Sequence, residues 1–355
     1  MASFQRILFK SIDILFNPFQ NHHKFPGITV TKDLVYDEEY PEECAIDTYR
    51  HENKVGFKLP TIINFPGGGY MAGGKQYRSG IASFLVDKLD VCVINVNYHK
   101  CETFKFPQFS RDSLKALAWI QDHADELQID LDNLYVMGDS AGAQIAAHSI
   151  TIMQNDEMRE ALGCVKADLK FKAALLFCGP YDVITAMTSP SILDIARGLG
   201  NKVLGIDVRK PGALDDYPYK RYLNLLDWIG PDFPPCFIGH TVHDVFCEGQ
   251  GDRLKEELKK RNIPYVSYLS TKLFDYHCWY LSLNDRSAKK ILERVVAYMQ
   301  SMLKGVIPPV EEIIYGKPPK AVPAPKPSED KSSAETAPAA PAEKDSLQGE
   351  EKSGK

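Results

Sequence analysis

The strongest constraint in this sequence is a repeated alternation of short apolar runs with longer segments whose apolar residues recur at helical spacing. The pairs "PGITVTKDLVYD" and "ECAIDTYRHE" alternate polar and apolar residues, the pattern of an antiparallel pair with one face in water. After them come "LPTIINF", a helix around Ile81 to Leu89, the strand "VCVINVNY", and a helix predicted from Ser110 to Leu127 with Leu114, Leu117 and Ile120 on one face. The run "NLYVM" leads into Ser140 and a further helix. It is followed by "FKAALLFCG", "PPCFIGH", the helix "EGQGDRLKEELKKR", the strand "PYVSYLS" and a last helix near Ser287 to Leu303. Strands that are apolar throughout must be covered on both faces, and helical crossovers supply the cover. The expected fold class is therefore α/β, a mostly parallel central sheet with helices on both faces.

The remaining segments divide the chain around that core. Residues 1–25, including "MASFQRILFKSIDILFNPF", read as an amphipathic helix that packs on the body, with a membrane surface as the alternative, rather than a signal sequence, because Lys10 and Asp13 interrupt the apolar region and no small-residue cleavage site follows. The core domain is expected over 26–304, with the alternation lapsing between Tyr181 and Asp232, an insert suited to a small cap. From about Lys317 the chain is Pro, Ala, Lys, Glu and Ser, so 305–355 reads as a linker and disordered tail. The net charge of -5 gives no electrostatic ground for nucleic acid as a partner. No apolar run spans a bilayer, so no stable membrane insertion is expected. None of the eight cysteines forms a C-x-x-C pair and several lie in strand-like runs, which predicts reduced core thiols rather than a disulfide framework or zinc site, and a cytoplasmic location.

One stretch, "VMGDSAGAQIAAH", carries chemistry. A serine whose hydroxyl must stand clear of a sheet is placed best on a sharp strand-to-helix turn, where side chains two residues away would clash; Gly138 and Gly142 remove that clash. The helix that starts there directs free N–H groups and its positive end at the same point. A hydroxyl nucleophile needs a base, and the base needs an orienting acid. Beyond Ser140 lie His148, His240, His243 and His277. His148 belongs to the helix that follows the serine, whereas His277, in "LFDYHCWY" after the final strand, sits where a base is needed. Asp244, after "PPCFIGH", is the first choice of acid; Asp182, after "LLFCGPY", is its rival, and Asp275 reads as a turn residue.

Upstream, "INFPGGGYMAGG" follows a buried strand. Gly68 and Gly69 let backbone N–H groups approach a substrate oxygen and, with the N–H of Ala141, would form an oxyanion hole. The span from Gly69 to Lys75 also fits a phosphate-binding G-x-x-x-x-G-K core, but Gln76 replaces the Ser or Thr that would hold magnesium.

In combination and order, "NFPGGGY", "NVNYH", "FPQFSRDSLKALAWI", "LYVMGDSAG", "PPCFIGHTVHD" and "HCW" resemble the α/β-hydrolase superfamily over residues 25–303. Within it the chain is similar to bacterial carboxylesterases of the hormone-sensitive-lipase type and to the acetyl-xylan esterase-like group. Pro66, where the former pattern usually has His, moves the resemblance toward the latter. The resemblance implies Ser140 as nucleophile, Asp244 and His277 as its partners, and Gly68, Gly69 and Ala141 as oxyanion donors. The expected function is a serine carboxylic-ester hydrolase on short-acyl esters, with acetylated small molecules or sugars as candidates and no cofactor or metal required. The alternatives are a peptidase or amidase on the same fold, and a non-catalytic ligand-binding relative. Tyr70 and Trp279 are candidates for the substrate pocket. Nothing in the sequence indicates the oligomeric state.

Overall fold

The computed structural model describes residues 2–317. The tail predicted beyond Lys317 lies outside the described residues. In chain order the protein comprises α1 (Phe4–Asn21), β1 (Ile28–Val35), β2 (Ala45–His51), β3 (Leu59–Phe65), α2 (Ser79–Lys88), β4 (Cys92–Val96), α3 (Gln108–Asp122), β5 (Ile129–Asp139), α4 (Ala141–Met153) and α5 (Asp156–Leu162). There follow β6 (Phe171–Phe177), α6 (Val183–Thr188), α7 (Ile195–Leu204), α8 (Lys220–Leu223), β7 (Cys236–Thr241), α9 (Gln250–Lys260), β8 (Tyr265–Ser270), α10 (Arg286–Leu303) and β9 (Glu311–Tyr315).

The strands form one sheet in the order β1-β2-β4-β3-β5-β6-β7-β8-β9. β1 and β2 pair antiparallel, as does β2 with β4, and every other neighbour is parallel. Successive strand residues enter different layers of the core. Ile63, Ile94, Val136, Leu176 and Ile238 pack with α3, α4 and α9 on one face, while Ile62, Val93, Tyr135, Leu175 and Phe237 pack with α2 and α10 on the other. Burial on both faces is why these strands read as largely apolar runs.

Two boundaries differ from the sequence reading. Helix α3 stops at Asp122 instead of continuing to Leu127: the His123 ring nitrogen meets the Trp119 carbonyl at 2.8 Å, competing with the backbone bond of the last turn, and the next N–H, that of Ala124, donates to the Gln121 carbonyl three residues back at 3.4 Å. Residues 311–315, read as part of a linker, add a ninth strand parallel to β8. In the insert, the lapse in alternation corresponds to three short helices, α6 to α8. Among the described residues no helix is long and apolar enough to cross a membrane.

The topology brings four loops to one end of the sheet. Phe65 at the end of β3 pairs with Gly138, and Asp139 at the end of β5 pairs with Phe177 at the end of β6. β7 and β8 end beside each other at Thr241 and Ser270. The glycine loop, Ser140, Asp244 and His277 thus all follow carboxyl ends of parallel strands in the same sheet, where open α/β sheets form their crevices.

Candidate active site

Ser140 sits between β5 and α4 with φ 53° and ψ -126°. Such a conformation costs a non-glycine residue about 1–3 kcal/mol and persists only when its surroundings enforce it. Here the Ser140 N–H donates to the Phe177 carbonyl at 2.8 Å. The turn also needs bare neighbours: a side chain at Gly138 would strike the Gly142 carbonyl, and one at Gly142 the Phe65 carbonyl. The two glycines singled out in the sequence therefore let strand, turn and helix close on each other.

Beneath this turn, the buried Asp139 carboxylate is held in a two-pronged pair by Arg78, with Nε at 2.7 Å and Nη2 at 2.6 Å. Neither member was singled out in the sequence, since each is one charged residue in a long stretch until the sheet places them together. Helix α1 supplies a third residue nearby. Asp13 accepts from the Gly73 N–H at 2.6 Å, which ties α1 to the glycine loop.

His277 and Asp244 come together as expected. The His277 ring nitrogen Nδ1 lies 2.8 Å from Oδ1 and 2.9 Å from Oδ2 of Asp244. The N–H groups of Phe246 and Cys247 donate to Oδ1 at 3.0 and 2.8 Å. Burial by itself pushes the Asp244 carboxyl up, but His277 and these two N–H donors outweigh it and hold the group below the ordinary carboxylate value. The His277 ring is braced edge-on by Phe246, with centroids 5.1 Å apart, and Phe246 in turn packs on Phe9 of α1 at 5.5 Å.

The rivals are placed elsewhere. Asp182 caps α6, accepting from the Thr185 N–H at 3.0 Å, and pairs with Arg253 at 2.9 Å. Asp275 is buried in a turn, accepting from the Ser270 hydroxyl, while its carbonyl takes the Thr241 hydroxyl at 2.6 Å. His148 lies in the core against Phe106, where burial lowers its pKa to about 4. His240 is likewise buried at the end of β7, and burial lowers its pKa too. His243 adjoins Asp244 along the groove that also reaches Tyr276. Lys75, the lysine of the phosphate-loop match, is buried between the carboxylates of Asp33 and Asp47, which occupies the charge a phosphate would need.

The glycine loop lies over Ser140. Gly68 has φ 127° and Gly69 φ 59°, and the Gly68 carbonyl accepts from the N–H groups of Met71 and Ala72 at 3.1 and 2.9 Å, which folds the loop back on itself. Among the described residues, no hydrogen bond engages the N–H of Gly68, Gly69 or Ala141.

Two cavities meet at Ser140. The narrower, about 40 Å³, is lined by Gly69, Tyr70, Ala141, Met187, Ile195 and Leu199 among others. The wider, about 320 Å³, is lined by His277, Trp279, Gly68, Phe16 and Asp13 among others. Tyr70 and Trp279 thus line one cavity each. Phe9 borders both, so α1 is a wall of the site, which its sequence pattern alone did not reveal. From the insert, α6 and α7 reach the narrow cavity, whereas Tyr222 and Trp228 bond to Glu157 and the Arg221 carbonyl instead.

Comparison with known proteins matches residues 46–258 to the BD-FAE family model. The esterase LipQ of Mycobacterium tuberculosis is 25% identical over 268 residues, covering 75% of this chain and 60% of LipQ. The probable carboxylic ester hydrolase LipM of the same organism is 30% identical over 212 residues, 58% of this chain and 46% of LipM. The chain thus spans about half to three fifths of the length of these relatives. The crystal structure of esterase B from Lactobacillus rhamnosis superposes with a TM-score of 0.69 at 17% identity, covering 83% of this chain and 95% of that one. The fold is that of the α/β-hydrolases.

Proposed function

Because this chain belongs to the BD-FAE family, we propose that it is a serine carboxylic-ester hydrolase acting on short-acyl esters through Ser140, His277 and Asp244. The observation that carries the reading is a single arrangement. Nδ1 of His277 is held on both oxygens of a buried carboxylate, and the same histidine shares a cavity with a serine on a strained turn. LipQ and LipM, whose names describe an esterase and a carboxylic ester hydrolase, support the same chemistry.

Asp244 keeps the proton of neutral His277 on Nδ1, which leaves Nε2 free to accept. Nε2 takes the Ser140 proton as the hydroxyl oxygen attacks the ester carbonyl carbon. The carbonyl oxygen becomes an oxyanion facing the N–H groups of Gly68, Gly69 and Ala141, the last of them at the positive end of α4. Each such donor contributes about 2.7–4 kcal/mol to the transition state. As the tetrahedral intermediate collapses, His277 gives its proton to the departing alcohol. Water then enters, loses a proton to His277, attacks the acyl-enzyme and releases the acid, restoring Ser140.

The acid that protonates the leaving group must stand beside it, so the alcohol belongs in the wide cavity with His277. The acyl group belongs in the narrow one, walled by Tyr70, Met187 and Leu199. That narrowness supports short acyl chains, and the wide cavity leaves room for a bulkier alcohol such as a sugar.

A serine-directed phosphonate tests the reading. It should label Ser140 at one equivalent per chain, and Ser140→Ala should lower ester turnover by a factor of about 10⁴ or more. Labelling at another residue, or turnover surviving in the variant, rejects it.

A further inference from the structure

Three thiols surround the histidine of this site, and the hydrolytic steps use none of them. Cys178 follows β6, Cys278 follows His277 in the chain, and Cys247 lies in the Asp244 loop; all three are buried and free. Cys178 and Cys278 adopt positive φ, 50° and 56°, and come from loops 100 positions apart in the sequence. One sulfur from each and a ring nitrogen of His277 lie within 4.8 Å of one another.

We propose that Cys178, Cys278 and His277 form a binding site for Zn²⁺, and that filling it removes His277 from catalysis. The donor set is two thiolates and an imidazole, which suits this cation. In a tetrahedral site with Zn–S about 2.3 Å and Zn–N about 2.0–2.1 Å, ligand atoms stand roughly 3.5–3.8 Å apart. The three donors therefore need to close by only about 1 Å, within reach of small side-chain rotations. Cys278 and His277 border the wide cavity, which gives the ion a route from solvent and leaves the fourth position for water. As Zn²⁺ binds, each thiol releases its proton to solvent and the sulfur lone pair forms the new bond.

Inhibition follows whichever ring nitrogen binds. Ligation through Nε2 removes the lone pair that accepts the Ser140 proton. Ligation through Nδ1 displaces the proton held on Asp244. The inhibitory half of the proposal rests on the hydrolase reading; the binding half does not.

The test titrates the metal-free full chain with Co²⁺ and with Zn²⁺. One equivalent of Co²⁺ should produce thiolate-to-metal charge-transfer absorption, and Zn²⁺ should displace it. The Cys178→Ser/Cys278→Ser pair should abolish the absorption. His277→Ala, which keeps both sulfurs, should weaken binding by more than the roughly 10- to 100-fold typical of losing a mere outer-shell partner. Zn²⁺ should suppress ester turnover in step with occupancy, reversibly on adding EDTA. Cys44, His99 and Asp112 form a second group of donors in the core, so Cys44→Ser should change nothing. Absence of the absorption, its survival in the double variant, or its loss in Cys44→Ser or Cys247→Ser overturns the site. Full occupancy with undiminished turnover overturns the inhibition. Should the protein hydrolyse no ester at all, the spectra still decide the site, so that failure remains separate from this one.

Discussion

Replacing Asp244 by Asn separates the two candidate acids, and the local hydrogen bonds indicate how. The N–H groups of Phe246 and Cys247 both donate to Oδ1, so in the variant the amide oxygen stays on that side and the NH₂ group turns to Nδ1 of His277. Nδ1 must then accept, which moves the ring proton to Nε2, where it blocks uptake of the Ser140 proton. Loss of the useful tautomer in such a relay lowers turnover about 10⁴-fold, equivalent to about 5.4 kcal/mol of barrier. Asp182→Asn keeps an equally good helix cap. It loses an ion pair whose arginine is half-exposed, worth no more than about 1 kcal/mol, and turnover should stay near that of the wild type. The assay is kcat/KM on p-nitrophenyl acetate, with the urea midpoint measured alongside. The Asp244 carboxyl is depressed in the folded state, so its contribution to stability is complete above the unfolded value near 3.9 and is lost as pH falls through the lower folded value. The stability difference between wild type and Asp244→Asn should therefore shrink on acidification below about pH 4. A loss of turnover under tenfold in Asp244→Asn, or a larger loss in Asp182→Asn, refutes the tautomer argument and moves the acid to the loop after β6.

Two further outcomes are expected. Arg78→Met leaves the buried Asp139 carboxylate unpaired and should cost about 3–5 kcal/mol of unfolding free energy, part of which Asp139→Asn should recover in the double variant; a loss below about 1 kcal/mol would show that the pair does not support the turn. Across esters with one leaving group, acetyl to butyryl should be hydrolysed best, with each methylene beyond the fit costing roughly 1–3 kcal/mol, and Leu199→Ala should shift the optimum to longer chains; a wild-type maximum at octanoyl or beyond rejects the narrow cavity as the acyl pocket.

What was legible in the sequence is what depends on neighbours along the chain. Strands apolar at most positions announced a sheet covered on both faces, and Gly138, Ser140 and Gly142 announced the turn, because their spacing answers a clash within one short segment. His277 and Asp244 were legible through chain order, as loops following successive parallel strands must emerge at one end of the sheet. Asp244 was preferred to Asp182 from the sequence, although each follows a strand, and the packing places Asp182 as the cap of α6 and Asp244 against His277. Contacts outside that set of loops were not legible. Phe9 and Asp13 look like ordinary members of an amphipathic helix until α1 docks beside the glycine loop. Arg78 and Asp139 become a buried pair only through the crossover that stacks their segments. Cys178 and Cys278, expected to be reduced core thiols, flank His277 because the loops after β6 and β8 emerge at the same end of the sheet. Periodicity and turn chemistry are local and leave their mark in a single sequence, whereas the meeting of side chains from separate loops is set by sheet order and packing, which exist only in the folded molecule.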